Sequence, residues 1–244
     1  LNSLVLGLIA EGHKVDVVAP NNSKLFEVSK KAKLHFVEGK EQKSWQHQDY
    51  YSSVSIPDNS LLSGMIEKAI DIGKKADIIL NFSYDWLPIW MTLNINIPIA
   101  HLISMGSESL VISNLISHVY SKYPYNFAFH SKIQASDYNF IKNPIVIGNG
   151  FELGNYIFQD CKNGPLGWVG RVAPEKGLED AAYVANALGE KLNVWGIVQD
   201  KSYALKIEKL CSPGTLEWKG FLETDKLQKE LGACRALLNT PKWN

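Results

Sequence analysis

Short runs of β-branched and other apolar residues recur along this 244-residue chain, and helical patterns fill the spaces between several of them. That alternation leaves few folds open. The runs fall at 15–19, 34–37, 78–82, 99–103, 127–130 and 145–147, then at 166–169, 192–195, 216–219 and 236–239. Leu61, Leu62, Met65, Ile66, Ala69 and Ile70 share one helix face, as do Leu178, Ala181, Ala182, Ala185 and Leu188, and then Tyr203, Ile207 and Leu210. Strands alternating with helices build βα units, whose helical crossovers bring successive strands in parallel. Asp77-Ile78-Ile79-Leu80 is apolar after its first residue, the pattern of a strand covered on both faces. The chain is therefore expected to be α/β with parallel sheets.

The rhythm breaks between 148 and 165, where Gly148, Gly150, Gly154, Gly164 and Pro165 accumulate without a period. We read 1–150 as one α/β domain, 151–164 as a linker and 165–244 as part of a second. Ligands of open parallel sheets bind beyond the carboxyl ends of the strands. Two such sheets facing across a cleft would put the site between them.

Charge and cysteine usage remove several function classes. Lys plus Arg and Asp plus Glu both total 25, so there is no basic field for nucleic acid. Lys30, Lys31 and Lys33 read as a solvated helix end. Cys161, Cys211 and Cys234 are widely spaced, without a C-x-x-C pair, and no H-E-x-x-H or D-x-D occurs. No metal, cofactor or disulfide framework is expected, and a reducing, cytoplasmic setting is. No apolar run is long enough to span a bilayer. Leu4, Val5, Leu8 and Ile9 read as a helix already under way at Leu1, and the far end stops just after the last apolar run. The expectation is a fragment lacking both ends, inactive by itself.

Three segments carry candidate chemistry. In Leu166-Gly167-Trp168-Val169-Gly170-Arg171-Val172-Ala173-Pro174-Glu175-Lys176-Gly177, a buried strand runs into Gly170, two cations follow, and a helix starts near Gly177 or Leu178. Bare backbone, Arg171, Lys176 and a helix N-terminus make a phosphate site; the alternative is a surface loop with ordinary charges. At the tip of the 78–82 run, Tyr84 or Trp86 would stack on a planar ligand and Asp85 would accept paired hydrogen bonds. The alternative makes Asp85 a helix N-cap and Trp86 core. After the 99–103 run, Ser104-Met105-Gly106-Ser107-Glu108 permits close ligand approach or forms another cap turn. His101 lies inside its strand pattern and reads as a satisfied core histidine. Gly148-Asn149-Gly150 with Gly154 has one residue too many for a dinucleotide fingerprint and reads as a turn.

Gly170-Arg171 followed by Glu175-Lys176-Gly177 resembles the G-R-x-x-x-E-K-G signature of the retaining GT-B glycosyltransferases of family four. Gly12-His13-Lys14-Val15, Asn149-Gly150, Gly220-Phe221-Leu222 and Ala236-Leu237-Leu238-Asn239-Thr240-Pro241 agree in order with that family's landmarks. The resemblance covers essentially the whole chain. A narrower likeness, over Asn81 through Pro88, Pro98 through Ser107 and Trp168 through Asp180, is to the cyanobacterial UDP-glucose:tetrahydrobiopterin α-glucosyltransferases. It implies a GT-B fold, two Rossmann-like domains with the second truncated, and glucose transfer from UDP-glucose to a reduced pterin, without a metal. Arg171 and Lys176 would be catalytic. Gly170, Arg171, Lys176, Gly196, Phe221 and Leu222 would hold the donor, and Tyr84, Asp85, Trp86 and Ser104 the acceptor. The family's first strand with its glycine loop, and its E-x7-E motif, are not in the sequence, and Ser104 stands where the family often has histidine. Competing readings keep the fold with a sugar or lipid acceptor, or make the chain a non-catalytic α/β ligand-binding protein. Oligomeric state is left open.

Overall fold

A computed structural model describes residues 2–23, 25, 28–45, 48–151, 154 and 156–242. Of the expected linker, 152, 153 and 155 lie outside the described residues. The chain divides into two compact units, Leu1–Phe151 and Glu152–Asn244.

The first unit holds two parallel sheets. Strands β1 (Asp16–Pro20) and β2 (Lys33–Val37) pair with each other. Strands β3 (Ile79–Asn81), β4 (Ile99–Ile103), β5 (Phe127–Phe129) and β6 (Ile145–Val146) form a second sheet in that order. Its helices are α1 (Asn2–Ala10), α2 (Leu61–Gly73), α3 (Trp86–Met91), α4 (Leu110–Tyr120) and α5 (Lys132–Ser136). Each of α2 to α5 begins at a side chain that accepts a helix N–H: Ser60, Asp85, Ser109 and Ser131. Helix α4 turns Ile112, Ile116 and Val119 inward, all fully buried, against Phe127, Phe129, Ile103 and Tyr138. Removing one such side chain from water is worth about 1.5–3 kcal/mol.

The second unit is one parallel sheet in the order β10-β7-β8-β9. Its strands are β7 (Leu166–Val169), β8 (Leu192–Trp195), β9 (Leu216–Gly220) and β10 (Ala236–Leu237), and its helices α6 (Leu178–Leu188), α7 (Lys201–Leu210) and α8 (Thr224–Gly232). Leu178, Ala181, Ala182 and Ala185 of α6 pack with Leu166, Trp168, Leu192 and Val194. The small alanines let the helix lie close to the sheet.

One expectation fails. The apolar run at 77–80 is not covered on both faces: Ile78 is 47% and Leu80 42% exposed. The reason is position. Strand β3 stands at the edge of its sheet and pairs only with β4 among the described strands.

Candidate functional site

In the second unit, three adjacent strands end in glycine. Gly170 follows β7, Gly196 follows β8, and Gly220 closes β9. Ladder bonds continue one step past the strands: Gly170 N–H donates to the Trp195 carbonyl at 3.0 Å and Gly196 N–H to the Gly220 carbonyl at 2.9 Å. At Gly196, φ is 137°, and a methyl there would lie 1.8 Å from the Gly170 carbonyl oxygen. No other residue fits that position. The carboxyl edge of this sheet is thus bare backbone: the Trp168 ring fills the side-chain space at Gly170 and the Gly170 carbonyl fills it at Gly196, while that at Gly220 is open.

Arg171 stands at its mouth. A short parallel bridge joins Val172 to Val198, with Val172 N–H on the Ile197 carbonyl at 2.9 Å and Asp200 N–H on the Val172 carbonyl at 3.1 Å. It brings the two loops side by side. Arg171 Nη1 donates to Gln199 Oε1 at 2.7 Å, and Nη2 pairs with Glu175 Oε1 at 3.1 Å. Lys176 ends a single 3-10 turn, Pro174–Lys176, and Gly177 follows in the left-handed region. Phe221, 61% exposed, and Leu222 follow Gly220. Gly170, Arg171, Gly196, Phe221 and Leu222 thus lie at or just past the carboxyl ends of β7, β8 and β9, and Lys176 lies further along the loop after β7.

The helix N-terminus does not serve as expected. Glu179 N–H donates to the Tyr203 hydroxyl at 3.3 Å and Asp180 N–H to the Gly177 carbonyl at 3.1 Å. The first turn of α6 also carries two carboxylates, Glu179 and Asp180. Burial pushes the Glu179 carboxyl up, but Lys242, the Tyr203 hydroxyl and its own backbone N–H together hold it below the usual range. An anion would meet negative charge here, so the phosphate-binding reading rests on the glycine edge and the cations instead.

In the first unit, Tyr84, Asp85, Trp86 and Ser104 lie at the carboxyl ends of β3 and β4. Asn81 sets the loop: its carboxamide accepts Ser83 N–H at 3.1 Å and donates to the Ser83 carbonyl and to His101 Nδ1, each at 3.0 Å. Because Nδ1 accepts, the imidazole proton is assigned to Nε2, which faces Thr92 Oγ1 at 2.7 Å. His101 is 1% exposed and stacked on Phe127, and burial lowers its pKa to about 4. The core-histidine reading holds.

Tyr84 is a core residue, which corrects the stacking role expected of it. It is 9% exposed within the main apolar cluster, and the Tyr138 hydroxyl lies 3.3 Å from its own. Tyr138 also donates to the Gly106 carbonyl at 2.8 Å, tying this loop to the one after β4. Asp85 takes the N-cap alternative. Its Oδ1 accepts Trp86 N–H at 2.7 Å and the residue is 8% exposed. Gln42 Nε2 stands 3.5 Å from Oδ2. Burial raises the Asp85 carboxyl, opposed by the Trp86 backbone N–H and the indole of Trp45. Trp86 packs half-buried against the same core, and Ser104 is exposed just past β4. Gln199, Gln42 and Trp45 were not singled out from the sequence. Only Gln199 had a local signal, the polar residue before the Asp200 cap of α7.

No protein-family model matches the chain, and no curated protein sequence is significantly similar to it. Solved structures are. The crystal structure of AviGT4, a glycosyltransferase involved in avilamycin A biosynthesis, superposes with a TM-score of 0.62 at 17% identity, over 98% of this chain. TarM superposes with a TM-score of 0.58 at 16% identity, over 75% of this chain. The chain covers 59% of the first structure and 40% of the second. At such identities the likeness establishes the fold, α/β with parallel sheets of the GT-B type. Among the described residues, no helix is long and apolar enough to cross a membrane.

Proposed function

We propose that the chain belongs to a retaining glycosyltransferase that moves glucose from UDP-glucose to a small acceptor, tetrahydrobiopterin. One observation carries the reading: a glycine edge on three parallel strands with the Arg171 guanidinium fixed at its mouth by Gln199 and Glu175. A nucleotide diphosphate needs backbone that it can approach and cations for its developing charge. Gly170, Gly196, Phe221 and Leu222 hold the nucleotide side. Arg171 and Lys176 neutralise the leaving diphosphate, a contribution of about 3–4 kcal/mol for a well-placed donor. The acceptor hydroxyl attacks on the face the diphosphate leaves, and the departing phosphate takes its proton. The two cations do the work a metal does elsewhere, so activity should survive a chelator. Asp85 Oδ2 receives the paired N–H groups of the pterin edge, Trp86 covers the ring, and Ser104 contacts the side chain. The setting is cytoplasmic.

The burial of Tyr84 and Asp85 favours a second reading, the same transfer to a sugar or lipid acceptor. One experiment separates them. The product of the complete gene is incubated with UDP-glucose and reduced tetrahydrobiopterin, with EDTA in half the samples, and analysed by mass spectrometry. A pterin carrying one hexose, with and without EDTA, supports the whole proposal. UDP release only with a sugar or lipid acceptor replaces the pterin. No UDP release with any acceptor overturns the transferase reading.

A further inference from the structure

The three cysteines are free thiols, and the proposed reaction uses none of them. Two of them meet in the second unit. The segment leading into β7 runs along the end of α8, where a methyl built on Gly232 would strike the Gln159 side chain at 2.6 Å. A little further on, a methyl on Gly164 would lie 2.9 Å from the Cys161 sulfur and 1.9 Å from the carbonyl oxygen of Ala233, the residue before Cys234. The missing side chain at 164 is what lets the two backbones touch, and the Cys161 sulfur sits at the point of contact. Cys234 follows Ala233 directly, and its sulfur lies 3.1 Å from a methyl position on Gly167 and 3.7 Å from the Glu230 carbonyl. Arg235 N–H donates to the Pro165 carbonyl at 3.1 Å, which fixes the register of the two segments. Both cysteines are half-buried, within reach of a small oxidant. Burial, and then the Cys161 thiol, raise the Cys234 thiol above its ordinary range.

We propose that Cys161 and Cys234 are a dithiol modification site, which a disulfide oxidant such as oxidised glutathione converts to an intramolecular disulfide. One cysteine thiolate attacks the oxidant's S–S bond and releases the first glutathione thiol. The other thiolate then displaces the second glutathione from the mixed disulfide. Two protein thiols give up two electrons and two protons, and one molecule of oxidised glutathione becomes two of the reduced form. The new bond ties the segment entering β7 to the turn entering β10, two strands already paired at Leu166 and Ala236. Cys211 stands apart, at the end of α7. The site is independent of the proposed transferase reaction.

The test uses the intact chain. It is treated with oxidised glutathione or with dithiothreitol, blocked with N-ethylmaleimide, digested and analysed by mass spectrometry. The expected result is a linked pair of peptides carrying Cys161 and Cys234 in the oxidised sample, with Cys211 blocked by maleimide, and a higher Tm than in the reduced sample. The Cys161→Ser and Cys234→Ser variants should each hold one glutathione on the remaining partner, while Cys211→Ser should still form the bridge. Recovery of Cys161 and Cys234 both as maleimide adducts or as separate glutathione adducts would overturn the proposal. A bridge to Cys211, or a disulfide between two chains, would do the same.

Discussion

Helix α6 is bracketed by two glycines with nearly the same backbone and different surroundings. Gly177 has φ 62° and Gly189 φ 66°. A methyl on Gly189 meets nothing within 4 Å, whereas one on Gly177 would lie 1.9 Å from the Thr240 carbonyl oxygen. Replacing Gly189 with Ala therefore costs only the left-handed conformation, about 1 kcal/mol. Replacing Gly177 with Ala costs that and also drives the 240–242 segment away. That segment is held by Thr240 Oγ1 on the Gly177 carbonyl at 2.7 Å and by Lys242 N–H on the Glu175 carbonyl at 2.9 Å. Losing both adds about 2 kcal/mol, for a total of about 3 kcal/mol. In a unit of this size the two substitutions should lower Tm by roughly 5 °C and roughly 15 °C respectively. Thermal unfolding followed by tryptophan fluorescence reads this directly, because Trp168 and Trp195 are 2% and 1% exposed in the second unit's core. Equal losses at the two positions would show that Thr240 does not pack on Gly177 and would refute the reasoning.

Three further outcomes are expected. Since His101 is held near pH 4 against 6.5 in the unfolded chain, the unfolded state takes up a proton that the folded state refuses between those values. Stability is complete above pH 6.5 and falls toward pH 4 by about 3 kcal/mol; urea midpoints at several pH values should show the slope, and His101→Gln should remove it. In the product of the complete gene, Arg171→Ala should lower kcat by about 10²–10³-fold. Its half-exposed pair with Glu175 contributes little to stability, so the same variant should unfold within about 1 kcal/mol of the parent. Asp85→Asn keeps the cap of α3, because asparagine caps as well as aspartate. It should raise the pterin KM about tenfold or more, the loss of a charge-assisted pair, and leave the UDP-glucose KM alone; equal effects on both would count against a pterin edge at Asp85.

The alternation of apolar runs and helical faces was enough for the fold class, because strands alternating with amphipathic helices build parallel βα units and both patterns are local. Each run contains a strand, although 236–239 shrinks to Ala236–Leu237 and 78–82 to Ile79–Asn81. Helix α4 carries its period in Ile112, Ile116 and Val119, but serines at 109, 113 and 117 interrupt the apolar pattern. Helix α8 left little to read, for none of its residues is buried. The exposure of Leu80 could not be foreseen, because the same apolar run serves a central strand or an edge one.

The two candidate sites, one in each unit, differ in legibility for a physical reason. A glycine at a strand end is a local statement about backbone: Gly196 needs its φ and its closeness to Gly170 whatever the rest of the chain does. The glycine edge of the second unit could therefore be read from spacing. Tyr84, Asp85 and Trp86 are side chains with two possible uses each, and the choice is made by residues far away in sequence. Tyr138 takes up Tyr84, and Gln42 and Trp45 face Asp85. With Trp86 N–H on Oδ1 and Gln42 Nε2 at Oδ2, both carboxylate oxygens are engaged at a buried position, and burial raises the carboxyl pKa. Any ligand that uses Asp85 must therefore supply donors good enough to keep the anion there. A pterin edge and a sugar hydroxyl alike would have to displace Gln42 to reach Asp85, so the burial of Tyr84 and Asp85, set by residues distant in sequence, weighs toward the sugar or lipid acceptor.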